Sequence, residues 1–171
     1  SDADAAVTAV VVRDHTTIEI ADSAILATGG VALNAVHAAA IAAAADAGEA
    51  SAGAAVATVI VTGDTRIATS GVVSITTPGR LSMAASSFTD VTTTAGGTRG
   101  GADGTSAGTT AALERADAET PDGDVRAAST VAATMLDHGA SVGLGGVVTV
   151  DAQSLAVTGA GRHRVETTAE A

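Results

Sequence analysis

The sequence predicts an all-β protein: a right-handed parallel β-solenoid with degenerate repeats of about 41 residues, two rungs each, and one long inserted loop. Three observations lead to this prediction. Aromatic residues make up 1% of the chain although 46% of it is hydrophobic. Short β-branched runs alternate with period two, and one order of strand, turn and strand recurs along the chain. We interpret residues 1–171 as a single repeat domain.

The apolar residues are almost all small or aliphatic, and Phe88 is the single aromatic one. A globular core of this size normally relies on large aromatic side chains. A core of Ala, Val, Ile and Leu reaches normal packing density only where the backbones approach closely. The composition therefore favours a thin, stacked architecture over a thick two-layer core.

Three copies of the repeat can be aligned. The clearest similarity is between the second copy, at about residues 54–95, and the third copy, at about 129–171. Residues 54–77 align with residues 129–152 without a gap, and the match continues after one deletion. The alignment predicts that equivalent corners and core rows are occupied by Gly71, Val72 and Ile75 and by Gly146, Val147 and Val150.

A first copy precedes them at about residues 5–50. Its AAVTAVVV resembles AAVATVIV at 54–61, and its ADSAILATGGV resembles TGDTRIATSGV at 62–72. Residues 13–20 have no counterpart in this alignment. Glycine reaches the positive φ angles of tight corners, so small-residue pairs mark the turns between runs. These pairs are Gly29-Gly30, Pro78-Gly79 and Gly145-Gly146.

Two regions depart from the repeat pattern. Residues 35–48 are rich in Ala, which predicts either a short outer helix or an Ala strand in a narrow core. Residues 96–128 are rich in Gly, Thr and Asp, and they are interpreted as a loop inserted between the second and third copies, with a single helical turn near 111–118.

The motifs AAVTAVVV, GG, VALNA and VVTVDA give the chain a resemblance to the repeat regions of very large exported bacterial surface proteins. These are the filamentous-haemagglutinin-like and leukotoxin-like repeat adhesins. The resemblance implies a β-solenoid on a secreted stalk at the bacterial cell surface, a role in adhesion or surface assembly, and no catalytic residues.

The charge balance and the hydropathy limit the classes of partner that the chain can have. The net charge of −11 repels nucleic acid and anionic membranes, and no apolar run is long enough for a transmembrane helix. Like repeats, joined covalently or stacked end to end, are the expected partners. Host or neighbouring-cell glycans are the alternative, with Gly161-Arg162-His163-Arg164 as a small basic spot.

No catalytic, cofactor or metal site is predicted. His15 and His138 each follow an Asp, and both are interpreted as solvated turn residues. Calcium is an alternative for the turn-associated residues Asp22, Asp64, Asp103, Asp122 and Asp124, although no EF-hand or nonapeptide calcium motif occurs. Clustered carboxylates and aromatic sugar platforms, which a polysaccharide-degrading solenoid needs, are missing.

The sequence therefore predicts a non-enzymatic, structural and adhesive rod. Two other classes stay open: a solenoid that binds glycan, ice or calcium through the 96–128 loop or a Thr-rich face, and a self-assembling filament subunit.

Overall fold

The computed structural model describes residues 3–47, 52–96, 119–120, 123–124 and 129–170. Within these ranges the chain forms β-strands and no helix, which confirms the all-β prediction. The strands are β1 (Ala3–Ala21), β2 (Ala24–Leu26), β3 (Val31–Asp46), β4 (Ala52–Ser70), β5 (Val72–Gly96), β6 (Glu119–Thr120), β7 (Gly123–Asp124), β8 (Ser129–Leu144) and β9 (Val147–Glu170).

Each sequence copy contributes to two parallel sheets. One sheet has the order β1-β4-β8; in the other, β5 pairs with β2 and β3 on one side and with β9 on the other. The chain runs out along one sheet and back along the other, so each copy forms one coil of the stack. The first coil contains β1, β2 and β3, the central coil β4 and β5, and the third coil β8 and β9.

The observed register confirms the alignment of the second and third copies. Val56 lies beside Val131, Ile75 beside Val150, and Leu81 beside Leu155. The predicted deletion is a register shift between Thr77 and Arg80.

The shorter offset predicted for the first copy is wrong. Residues 5–12 pair with 54–61 as expected, but the same register then continues, with Arg13 beside Thr62 and Ile18 beside Ile67. Residues 13–20 are therefore part of one long strand, and the two-rung repeat of about 41 residues is not observed. Unbroken pairing is favoured because it preserves every ladder hydrogen bond and stacks the isoleucines inward.

The Ala-rich segment, for which the sequence left a helix or a strand open, is a strand over residues 31–46. The whole of β3 pairs with β5, from Val31 beside Leu81 to Asp46 beside Gly96. Ala43 and Ala45 are buried and pack against residues of β4 and β5. Tertiary pairing overrides the helix propensity of Ala, and the small side chains of Ala45, Ala55 and Ala95 fill the core at this point.

The predicted equivalence of Gly71 and Gly146 is confirmed, whereas the first-copy alignment that placed Gly30 opposite Gly71 is wrong. The corners of the three coils lie above one another. Asp22, Gly71 and Gly146 occupy them, and all three have positive φ angles of 43°, 68° and 79°. The Asp22 carboxylate accepts a hydrogen bond of 3.0 Å from the backbone N–H of Val72. Val72 and Val147 face outward, whereas Ile75 is completely buried.

The core lies between the sheets, and its side chains change in size along the strands. Near the corners it contains Ile67, Ile75, Leu81 and Met83. Farther along it contains Val59, Val61 and Val91, and then Ala55, Ala57 and Ala95. Side chains in β5 alternate between buried and accessible positions, as expected for a strand with one face in the core.

Most of the predicted 96–128 loop, including the helical turn expected near 111–118, lies outside the described residues. Its described parts are Gly96, which ends β5, and the antiparallel pair β6 and β7. In the part of the chain that is described, no helix has the length and apolar character needed to cross a membrane.

The strand content leads to a spectroscopic prediction. Far-ultraviolet circular dichroism of the folded chain should be β-dominated, with helix below about a quarter of the residues, because parallel ladders account for the described coils. A mostly helical spectrum would contradict both the pairing of β3 and the coil architecture.

Candidate functional site

A polar layer interrupts the apolar interior between the Ile–Leu–Met cluster and the Val cluster. We call it the histidine layer, and it comprises Asp14, His37, Gly63, Ser87, His138 and His163. It draws on all three coils, since Asp14 and His37 belong to the first, Gly63 and Ser87 to the central and the other two to the third. Buried histidines at mid-core require specific partners, which makes this layer the candidate functional site.

Two imidazole rings stack at the centre of this layer. The ring centroids of His37 and His138 lie 4.6 Å apart with an interplanar angle of 19°, and each residue is only 8% exposed. His163 lies at the edge of the pair, with its ring centroid 6.2 Å from that of His138. The three rings bring together the third coil and the first coil across the central one.

Polar partners hold one nitrogen of each stacked ring. His37 Nδ1 lies 2.7 Å from Asp14 Oδ2, and a carboxylate can only accept, so this nitrogen donates. His138 Nδ1 and Ser87 Oγ are hydrogen-bonded at 2.8 Å. The Nε2 atoms of both rings are buried and have no hydrogen-bond partner among the described residues. Unpaired buried polar atoms carry a desolvation cost, so these two nitrogens lower the stability of the fold.

Gly63 creates the space that the rings fill. It stands between Asp14 of β1 and His138 of β8 in the ladder. A Cβ atom built on Gly63 would overlap the backbone carbonyl oxygen of Asp14 and would lie 3.0 Å from Cδ2 of His138. The central coil therefore lacks a side chain where the neighbouring coils supply an aspartate and an imidazole.

The environment makes the charged form of His138 unfavourable. Burial lowers the pKa of His138 from its ordinary value of 6.5, and the neighbouring His37 and His163 lower this pKa further. Asp14 and Asp64 act in the opposite direction but do not outweigh these effects. His138 is therefore neutral at physiological pH, with one ring nitrogen available as an acceptor.

The centre of the layer, formed by His37, His138 and Ser87, is buried, whereas Asp14 and His163 at its edges are accessible to solvent. Ser87 is 3% exposed, so its contact with His138 does not present a nucleophile at the surface. Among the described residues, no group of three His, Asp or Glu side chains is arranged to hold a metal ion. What the arrangement can do chemically is take up or exclude a proton.

The prediction of solvated turns for the histidines is wrong for His138, which lies inside β8 and is buried. His15 lies inside β1 rather than in a turn, but its exposed side chain does reach solvent and pairs with Asp64. The Asp14–His37 pair could not be predicted from the sequence, because these residues meet only when the two sheets face each other.

The predicted calcium positions do not converge among the described residues. Asp22 binds a backbone N–H at the first corner, Asp64 pairs with His15, and Asp124 lies in the short strand β7. Asp103 and Asp122 lie outside the described residues.

The predicted basic spot is partly neutralised by acidic side chains. Arg164 NH2 lies 3.3 Å from Glu166 Oε2, and its NH1 lies 4.0 Å from Asp90 Oδ2. His163 takes part in the histidine layer. The Thr-rich run is split between the faces of β5, with Thr93 buried and Thr92 exposed.

The third coil leaves its inward side chains open at the end of the stack. Leu155, Val157 and Val165 of β9 are 44–50% exposed. Their counterparts one coil inward, in register on β5, are Leu81, Met83 and Val91, which are at most 1% exposed.

Comparisons of this chain with protein-family models, with characterised proteins and with solved structures give no significant match.

Proposed function

We propose that the chain is a structural and adhesive stalk or filament-forming segment of a secreted bacterial surface protein, in which like β-solenoid coils stack end to end. The observation that carries this proposal is the open end of the third coil. Three apolar rows on β9 are half exposed at that end, although the same rows are closed one coil inward. A further coil would bury these rows and pair the free backbone edge of the sheet.

Several features support a rod over a compact binding domain. Coils of this kind interact mainly with their neighbours, so length can grow without a thicker core. Parallel strands joined by a crossover are almost always right-handed, which supports the right-handed solenoid that the sequence predicts. The net charge of −11 favours solubility of such rods and opposes their side-by-side aggregation. The resemblance to exported repeat adhesins supports the same structural and adhesive role.

Assembly at the open end can be tested with a single charged substitution. We expect the wild-type chain to associate with increasing concentration in sedimentation velocity and to form elongated particles in negative-stain microscopy. Val157→Arg should weaken this association by about tenfold or more, because a charge would be buried without a partner.

The matched control is Thr158→Arg, which adds the same charge to the same strand on its outer face. Both positions are exposed, so neither substitution should unfold the chain. Association should persist in Thr158→Arg. A wild-type chain that stays a compact monomer at all concentrations, or equal effects of both substitutions, would contradict end-to-end stacking.

A further inference from the structure

We propose that the stacked pair His37–His138 makes attachment of the third coil proton-sensitive, so that mild acid releases β8 and β9 from the central coil. The two rings are the point where the first and third coils meet across the gap at Gly63. A change of charge on His138 acts directly on the contact between coils, and burial favours its neutral form in the packed stack.

The two histidines differ in the partner of their Nδ1 atom, which decides which coil leaves. His37 Nδ1 has the Asp14 carboxylate at 2.7 Å within its own coil. His138 has only the neutral Ser87 hydroxyl at 2.8 Å, and that hydroxyl belongs to the central coil. A charged His138 is therefore stabilised by moving into water, and its coil moves with it.

The charged groups around His138 come from several strands. Beside it lie Asp14 of β1, His37 of β3, Asp64 of β4 and His163 of β9, with the paired His15 and the outward-facing Asp137, Arg162 and Arg164 farther out. The inward side chains of β5 near the layer, Ser87 and Thr89, are uncharged. The carboxylates favour a proton on His138, but burial and the two other imidazoles oppose it more strongly.

The direction of the pH effect follows from the lowered pKa of His138. The released coil binds a proton at His138 near pH 6.5, whereas the packed coil binds it only at lower pH. The stabilising contribution of neutral His138 is therefore complete above pH 6.5 and is lost as the pH falls from there to the pKa of the packed state. Acid also reduces the net negative charge, which favours compaction, so the histidine effect must be measured as a difference between variants.

The test compares the wild-type chain with His138→Gln in denaturant unfolding from pH 8 to pH 5. Relative to the variant, the wild-type unfolding constant should rise by up to about tenfold per pH unit below 6.5. Hydrogen exchange should show that amides of β8 and β9 lose protection in acid before those of β1 and β4. His15→Gln is the matched control at an exposed position, and it should keep the wild-type slope.

A measurement on the wild-type chain alone makes the proposal independent of variant folding. The Cε1–H resonance of His138 should titrate with a midpoint below 6.5. A midpoint at or above 6.5, a slope unchanged in His138→Gln, or simultaneous loss of protection in all three coils would overturn the proposal.

Discussion

Ile75→Asp is expected to unfold the chain or lower its free energy of unfolding by at least about 4 kcal/mol. Ile75 is completely buried in the central coil, between Ile25 of β2 and Val150 of β9 in the ladder. It packs in the cluster that contains Ile67 and Leu81. A carboxylate there would lose its hydration without gaining a partner, and the aliphatic contacts would also be lost. Chemical denaturation followed by circular dichroism measures the effect.

Two further substitutions separate a buried charge from a general effect of mutation in β5. Ser74→Asp introduces the same group one residue earlier, on the accessible outer face, and should change stability by less than about 0.5 kcal/mol. Its ladder neighbours, Ala24 and Thr149, are uncharged. Ile75→Val keeps the position apolar and should cost about 1 kcal/mol. If Ile75→Asp were tolerated as well as Ser74→Asp, the inward face of β5 would be wrongly assigned.

The part of the fold that could be predicted from sequence is the part where aligned residues are chemically alike. Val56 and Val131, or Leu81 and Leu155, match in type and do pair. Between β1 and β4 the match fails in the middle, because Asp14 lies opposite Gly63 and His15 opposite Asp64. An alignment by similarity skips such pairs and shortens the offset, whereas a backbone ladder pairs any side chains whose main chains are in register.

The histidine layer could not be predicted for the same reason. Its contacts join residues that are dissimilar and distant in sequence, and several of them cross from one sheet to the other. His138 and Ser87 hydrogen-bond between sheets, and no repeat pattern connects them. Asp14-His15 and Asp137-His138 look like paired turn motifs in the sequence, yet only Asp14 and His138 face inward, on the row of Gly63. Which face a strand presents depends on register, and a one-residue shift reverses it.

Gly63→Ala adds only one methyl group, yet we expect it to lower the free energy of unfolding by about 3 kcal/mol. The added Cβ would overlap the backbone carbonyl oxygen of Asp14 and approach His138 Cδ2 to 3.0 Å. A backbone atom in a paired strand cannot rotate away as a side chain can, so β1 would have to separate from β4. That movement would also disturb the Asp14–His37 pair and the imidazole stack.

Gly139→Ala is the matched control for this prediction. Gly139 lies on the neighbouring strand β8, beside Asp64 in the ladder, and a Cβ built there meets no atom within 4 Å. This substitution should be neutral or slightly stabilising, because it restricts the unfolded chain without a clash. Denaturation midpoints of the two variants, with the His138 chemical shift as a local probe, test the difference. Equal stabilities would contradict the close approach of Asp14 and His138 to Gly63, and the packing of the histidine layer would then not depend on a glycine at this position.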